Sequence, residues 1–240
     1  MSYFLTNQKL KIGSLSDLSE EEARHILLSR RMKKGDVLNL QDKERFRYKV
    51  VITEAGKSSL KVLVEERVSV PAEPRLKTVL FQSFINEKAL DFILQKSTEI
   101  GAEKIILFNS QNTAVKITPE LFEKRKSRWG KILWEAAKQS DRQAPPEIIY
   151  LENTGLLSEE LKKFEISLVL DKDGEKINAF NEPLKSVKTC SVVIGPEGGF
   201  TEDELRFLKT LPGIHAVSLG ESTLRAETAA LASLSVVLNY

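Results

Sequence analysis

A chain of 240 residues with 41% apolar and 29% charged side chains can bury a real core, which excludes a disordered or fibrous polymer. Its single cysteine, Cys190, excludes an internal disulfide framework and suits a reducing compartment; with only His25 and His215 beside it, these residue types spell no metal-ligand cluster. The net charge of +2 is unevenly spread: residues 1–72 hold 14 Lys and Arg against 10 Asp and Glu, and residues 73–240 hold 22 against 24. A polyanion would therefore meet the N-terminal part first.

The opening "MSYFLTNQKLKIG" lacks the basic end and apolar core of a signal peptide, and no apolar run reaches the roughly 18–20 residues of a membrane span. A cytoplasmic protein with no membrane and no metal is expected. In "SEEEARHILLSRRMKKGD", Ser19 and Glu22 stand in capping-box spacing and predict a helix start. The same segment ends in the cluster Arg30, Arg31, Lys33 and Lys34, ahead of Gly35. Residues 36–66 alternate as strands, through Tyr48, Val50 and Ile52 and again through Leu60, Val62 and Val64. One helix and a few antiparallel strands make a small barrel-like module over residues 1–72, closed by the linker "VPAEPR".

From residue 76 the rhythm changes. "LKTVLFQSF" predicts a strand, and "NEKALDFILQKSTEIG" a helix with Asn86 as N-cap and Gly101 as stop. "KIILF" is a strand, and "TPELFEKRKSRWGKILWEAAKQSDR" a long helix with Pro119 in its first turn. Trp129 and Trp134 on that helix are expected in the core rather than stacked on a base. "EISLVLD", "CSVVIG" and "IHAVSLG" are further strands, apolar throughout, with Cys190 a buried small side chain in the second. Alternating β and α text of this kind predicts a parallel sheet covered on both faces.

Two turns carry the chemistry. "IGPEGGFTEDEL" leaves a strand and enters a helix, since Thr201 and Glu204 form a second capping box. Its glycines thus lie in the usual ligand crevice of α/β sheets. A P-loop would need Lys-Ser/Thr where this turn has Phe-Thr, and a dinucleotide turn would need G-x-G-x-x-G. Phosphates would also be repelled by Glu197. A phosphate-free ligand with a cationic centre fits better, and S-adenosylmethionine meets both conditions; a tight turn with a solvated glutamate is the bland alternative. "SLGESTLRAETAALASLSVVLNY" repeats the plan of strand, Gly turn and helix. From Leu224 to Leu238 its only ionisable side chains are Arg225 and Glu227, so the helix is apolar nearly all round and is expected to be buried, either in the core or against another subunit. Arg225 at a helix N-terminus opposes the macrodipole, which points either to function or to an ion pair with Glu197 or Glu227.

These two turns resemble the signature motifs of the RsmE family, SPOUT-class methyltransferases of N3 of a uridine in small-subunit ribosomal RNA. "LQKSTEIGAEKIILF" and "RWGKILWEAAKQSDRQAPPEI" are similar to two further family motifs, and the strands with "KKGD" to its PUA-like RNA-binding domain. The resemblance implies a PUA-like domain over 1–72 and, over 73–240, an α/β parallel-sheet methyltransferase domain with a C-terminal trefoil knot, acting as a homodimer on ribosomal RNA of a small-subunit particle. S-adenosyl-L-methionine, leaving as S-adenosyl-L-homocysteine, would then be held by loops at Leu170, at Ile194, Gly195, Pro196, Gly198 and Gly199, and at Leu219, Gly220, Ser222 and Leu224. Where family members commonly carry Pro-Arg-Ile-Leu-Arg, this chain has Glu221-Ser222-Thr223-Leu224-Arg225, so Arg225 is the motif's only cation. Arg225 or Arg142 is the candidate to stabilise charge on the uracil, Glu197 or Glu227 the candidate proton acceptor, and Arg30, Arg31, Lys33 and Lys34 the candidate RNA contacts. His25 and His215 are left without a role.

Overall fold

The N-terminal strands show the period-two burial that their sequence predicts. The computed structural model describes residues 3–152 and 154–239, without the side chains of Ser29, Arg30, Thr154 and Gly155. Its two units are Met1–Ala72 with Ala137–Ala144, and Glu73–Ala136 with Pro145–Tyr240.

The first unit runs β1 (Phe4–Leu5), β2 (Leu15–Leu18), α1 (Glu20–Arg30), β3 (Val37–Gln41), β4 (Arg47–Ala55) and β5 (Leu60–Val68). Along β4, Tyr48, Val50 and Ile52 are buried and Lys49, Val51 and Thr53 only half-buried, so one face of the sheet meets the core. Leu40, Val62 and Val64 complete that core with Ala23 and Ile26 of α1. Burying each Leu, Val or Ile there is worth roughly 1.5–3 kcal/mol. The sheet order is β1-β3-β4-β5-β2, and β1 pairs with β3 in parallel. The sheet is therefore mixed, not antiparallel throughout. The reason is that the N-terminal segment returns to the outer edge of β3 after no hairpin of its own. Helix α1 begins at the expected capping box, Ser19 with Glu22.

The second unit follows as β6 (Lys77–Ser83), α2 (Glu87–Ile100), β7 (Lys104–Phe108), α3 (Pro119–Gln139), β8 (Glu147–Leu151), α4 (Thr154–Leu161), β9 (Ile166–Lys176), a 3-10 turn (Ile177–Phe180), α5 (Asn181–Ser186), β10 (Thr189–Ile194), α6 (Glu202–Lys209), β11 (Ile214–Ser218) and α7 (Ala226–Leu238). All six strands are parallel in the order β11-β9-β10-β6-β7-β8. Leu80, Ile105, Leu107 and Val192 face one core with residues of α2, α3 and α7. Their strand neighbours Val79, Phe81, Ile106 and Val193 face another with Leu157, Leu161 and Leu208. Burial on both faces is why these strands read as unbroken apolar runs. Helix α2 has the expected caps, Asn86 bonded to the Ala89 N–H and Gly101 in the left-handed region.

Three features lie outside the sequence expectation. The edge strand β8 is only half-buried over most of its length, so its apolar signal is weak. Strand β9 runs on past Asp171: its pairing with β11 jumps from Ala216↔Val169 to Val217↔Glu175, which throws residues 170–174 out of register. Gly174 makes that excursion possible, because a Cβ there would stand 2.6 Å from the Ala216 carbonyl carbon and the Val217 nitrogen. Finally, α7 is buried on one face only. Ala226, Ala230, Leu234 and Val237 are covered, while Leu231, Ala232 and Val236 are half-exposed. Among the described residues no helix is long and apolar enough to cross a membrane.

Candidate cofactor and active site

Val169 lies opposite Val193 of β10 and Ala216 of β11, so Leu170 leaves the ladder beside Ile194, the last residue of β10, at the carboxyl edge of the sheet, while Val217 goes on to pair with Glu175. That edge is where open parallel sheets bind ligands. Leu170, Leu219, Gly220, Ser222 and Leu224 line one cleft there, as the sequence motifs imply, with a volume of about 130 Å³. Gly220 sits at φ +134°, and a Cβ on it would meet nothing within 4 Å, so its backbone is open to a ligand. The Ser218 hydroxyl accepts from the Gly220 N–H at 3.1 Å and donates to the Gly220 carbonyl at 2.9 Å, which fixes the start of the turn. Ligand pockets commonly measure about 300–1,000 Å³.

The second turn adjoins this cleft through Ile194. Pro196 is buried, and the Gly199 N–H closes the turn on the Pro196 carbonyl at 2.9 Å. Gly199 has φ +70°, a conformation that favours glycine. A Cβ on Gly195 would press to 3.2 Å on the Phe200 ring, which lies parallel to Phe108. Behind the turn, α6 starts at the predicted Thr201–Glu204 capping box. Glu197 is exposed, and its Oε1 accepts from the Asn86 side-chain amide at 3.1 Å and the Asn86 backbone N–H at 3.5 Å. Its carboxylate thus anchors the turn to the N-cap of α2.

Arg225 is the N-cap residue of α7 with extended backbone, and its carbonyl accepts from the Ala229 N–H at 2.8 Å. The side chain is exposed and, among the described residues, pairs with neither Glu197 nor Glu227. Arg142 belongs to the other unit, where its carbonyl accepts from the Tyr3 hydroxyl at 2.6 Å and from Arg47 at 3.3 Å. The structure does not place the two arginines in one unit.

In the N-terminal unit Arg31 caps α1 at φ 50°, and Arg31, Lys33 and Lys34 are exposed without an ion pair among the described residues. The Arg30 side chain lies outside the described residues. Trp129 is fully buried and Trp134 half-buried, in keeping with core roles. Burial pushes the Cys190 thiol up to about 12, which makes it a packing residue and no nucleophile. His25 lies edge-on to Phe4 and His215 packs on Phe180. No group of three or more candidate metal ligands occurs among the described residues.

Sequence reasoning missed Asp171 and Lys172, which also line the cleft. Asp171 is nearly buried and pairs with Lys209 at 3.3 Å. Its signal was available: it is the first polar residue after the apolar run "ISLVL", at the carboxyl end of a parallel strand. Asn112, which holds the Gly-rich turn, carries no local signature, and that of Asn86 announces a helix cap and not its bond to Glu197.

Residues 72–238 match the family model described as an RNA methyltransferase domain, and residues 18–65 that of an RNA methyltransferase PUA domain. The chain is similar to ribosomal RNA small subunit methyltransferase E of Bacillus subtilis, at 30% identity over 97% of this chain and 93% of that protein. The protein of the same name from Mesomycoplasma hyopneumoniae is 34% identical over 72% of this chain and 74% of its own. Among solved structures, a ribosomal RNA small subunit methyltransferase E from Neisseria gonorrhoeae bound to S-adenosyl methionine superimposes with a TM-score of 0.83 at 27% identity, covering 100% of this chain and 97% of that one.

Proposed function

This chain belongs to the RNA methyltransferase family whose curated members are named ribosomal RNA small subunit methyltransferase E; from that premise it is an S-adenosylmethionine-dependent methyltransferase of small-subunit ribosomal RNA, and we propose that N3 of one uridine in 16S RNA is the atom it methylates. The observation that carries the reading is the cleft at the carboxyl edge of the sheet, where Leu170 and the segment Leu219–Leu224 meet, next to the strand β10 that leads into the other Gly turn. The open backbone at Gly199 and Gly220 fits a ligand held by main-chain groups rather than by salt bridges. Leu170, the turn Ile194–Gly199 and the segment Leu219–Leu224 would hold S-adenosylmethionine, which supplies an electrophilic methyl on a sulfonium.

Uracil N3 bears a proton that must leave as the new bond forms, so negative charge develops on the ring. Arg225, with no ion-pair partner among the described residues and next to Leu224 of the cleft, is the cation assigned to that charge. Glu197 is assigned to holding the turn, because its carboxylate is already engaged by Asn86. Holding substrate and cofactor in line can supply roughly 7–11 kcal/mol of the barrier reduction. The half-exposed apolar face of α7, with Leu231, Ala232 and Val236, supports a homodimer with the two-fold contact on that helix. The crossing of the chain from β10 past β9 to β11 is compatible with a knotted C-terminal segment. A small-subunit ribosomal particle as substrate and a cytoplasmic location complete the proposal.

The decisive experiment is mass mapping of ribosomal RNA from cells with and without the gene. One uridine of the small-subunit RNA should lose a methyl group in the deletion and regain it on complementation; an unchanged map would refute the assignment. The basic cluster at the end of α1 is assigned to RNA phosphates. Replacing Arg31, Lys33 and Lys34 together by Gln should lower the slope of log affinity against log salt by about 2–3 in RNA-binding titrations. An unchanged slope would move the contact elsewhere.

A further inference from the structure

We propose that Asn112 is a positioning residue for the cofactor turn, setting the Gly198 and Gly199 backbone in one conformation through its side-chain amide. The inference rests on the reading that this turn holds S-adenosylmethionine. Asn112 Nδ2 donates to the Gly199 carbonyl at 3.1 Å and to the Gly198 carbonyl at 3.4 Å. The approach is close: a Cβ on Gly198 would stand 3.3 Å from the Asn112 Cβ. The preceding residue docks beside it. The Gln111 N–H donates to Glu204 Oε1 at 2.8 Å, and Thr201 Oγ1 donates to Gln111 Oε1 at 3.3 Å. On its other side the turn is tied by Glu197 to Asn86. Two neighbouring loops, those following β6 and β7, therefore both hold it.

The loop that carries Asn112 is itself rigid. Asn109 donates to the Ile117 carbonyl at 2.8 Å and accepts from the Ile117 N–H at 3.0 Å, closing the loop at its base. Within it the Ser110 N–H donates to Thr113 Oγ1 at 2.9 Å, and Thr113 meets Ser83 of β6 at 3.0 Å; all three residues are buried. Asn112 is thus an exposed side chain on a fixed platform. Three glycines within residues 195–199 give the turn much conformational freedom to lose on binding. Bonds formed before the ligand arrives remove that loss from the binding step. The residue adds nothing to the chemistry and acts through the turn.

The test is calorimetry of S-adenosylmethionine with the full chain. Asn112→Ala should raise the Kd about tenfold, the scale of a lost hydrogen-bonding group. The KM for S-adenosylmethionine should rise by more than kcat falls. Asn112→Asp keeps the shape but turns a carboxylate toward two carbonyl oxygens, so it should bind more weakly than Asn112→Ala. A space-filling role predicts the opposite, with Asn112→Asp binding like the unaltered chain. Unaltered binding by either variant overturns the proposal. Failure of the unaltered chain to bind S-adenosylmethionine overturns the cofactor-turn reading, and this inference with it.

Discussion

Arg225→Ala is expected to slow single-turnover methyl transfer by about 10²–10³-fold, the range seen when one preorganised donor to a developing negative charge is removed. The expectation follows from where the guanidinium is and what it lacks. It stands at the N-cap of α7, where the positive end of the helix makes a cation unfavourable. It is exposed and has no acidic partner among the described residues, so the fold derives no ion-pair stability from it. Its neighbour Leu224 lines the cleft proposed for the cofactor. Because the side chain is exposed, the thermal midpoint should stay within about 1–2 °C, as for other surface substitutions. Arg225→Lys keeps the charge without the planar fork and should recover only part of the rate. A rate within about threefold of the unaltered enzyme in Arg225→Ala would refute the electrostatic role assigned through charge stabilisation.

A second large effect lies in the N-terminal unit. Arg47 is 2% exposed and forms an ion pair with Asp141, whose side chain is 35% exposed. The guanidinium also reaches the Asp141 carbonyl at 3.3 Å and Gln41 Oε1 at 3.4 Å, and lies 3.8 Å over the Tyr3 ring. Gln41 Nε2 in turn donates to the Gln143 carbonyl at 2.7 Å. Burial raises the Tyr3 phenol above its ordinary range, with Arg47 acting in the opposite direction. These contacts gather Ala137–Ala144, the end of α3 and the following turn, into the N-terminal unit. Asp141→Asn leaves the guanidinium buried without its counter-charge and should cost about 3–5 kcal/mol in denaturant unfolding. Asn tolerates the left-handed backbone that Asp141 adopts at φ 65°, so the substitution isolates the charge. Arg47→Met removes the buried charge itself and should cost less than Asp141→Asn. The reverse order would show that packing, not an uncompensated charge, dominates at this site.

Much of this was readable in the chain. Both capping boxes, the Asn86 and Gly101 caps and the strands β6, β7, β10 and β11 lie where local rules place them, because caps and unbroken apolar runs are properties of a few adjacent residues. The cleft residues Leu170, Leu219, Gly220, Ser222 and Leu224 were legible because motif and strand end coincide. The weak edge strand β8 was not, since half-burial blurs its pattern. The continuation of β9 beyond Asp171 was hidden too, because its pairing with β11 depends on a single glycine fitting against another strand's backbone.

Composition and short-range pattern thus settle which segments are helix or strand, and which turns are free to meet a ligand, since those properties depend on the φ, ψ and polarity of neighbours in the chain. Partners distant in sequence were decided only by the tertiary structure. Glu197 meets Asn86, Asn112 meets Gly198 and Gly199, and Asp141 meets Arg47, each across tens of residues. One such partnership ties Glu197 to the N-cap of α2, while Arg225 pairs with no acidic side chain among the described residues. A hydrogen bond depends on distances of a few tenths of an ångström between groups that only the folded sheet brings together.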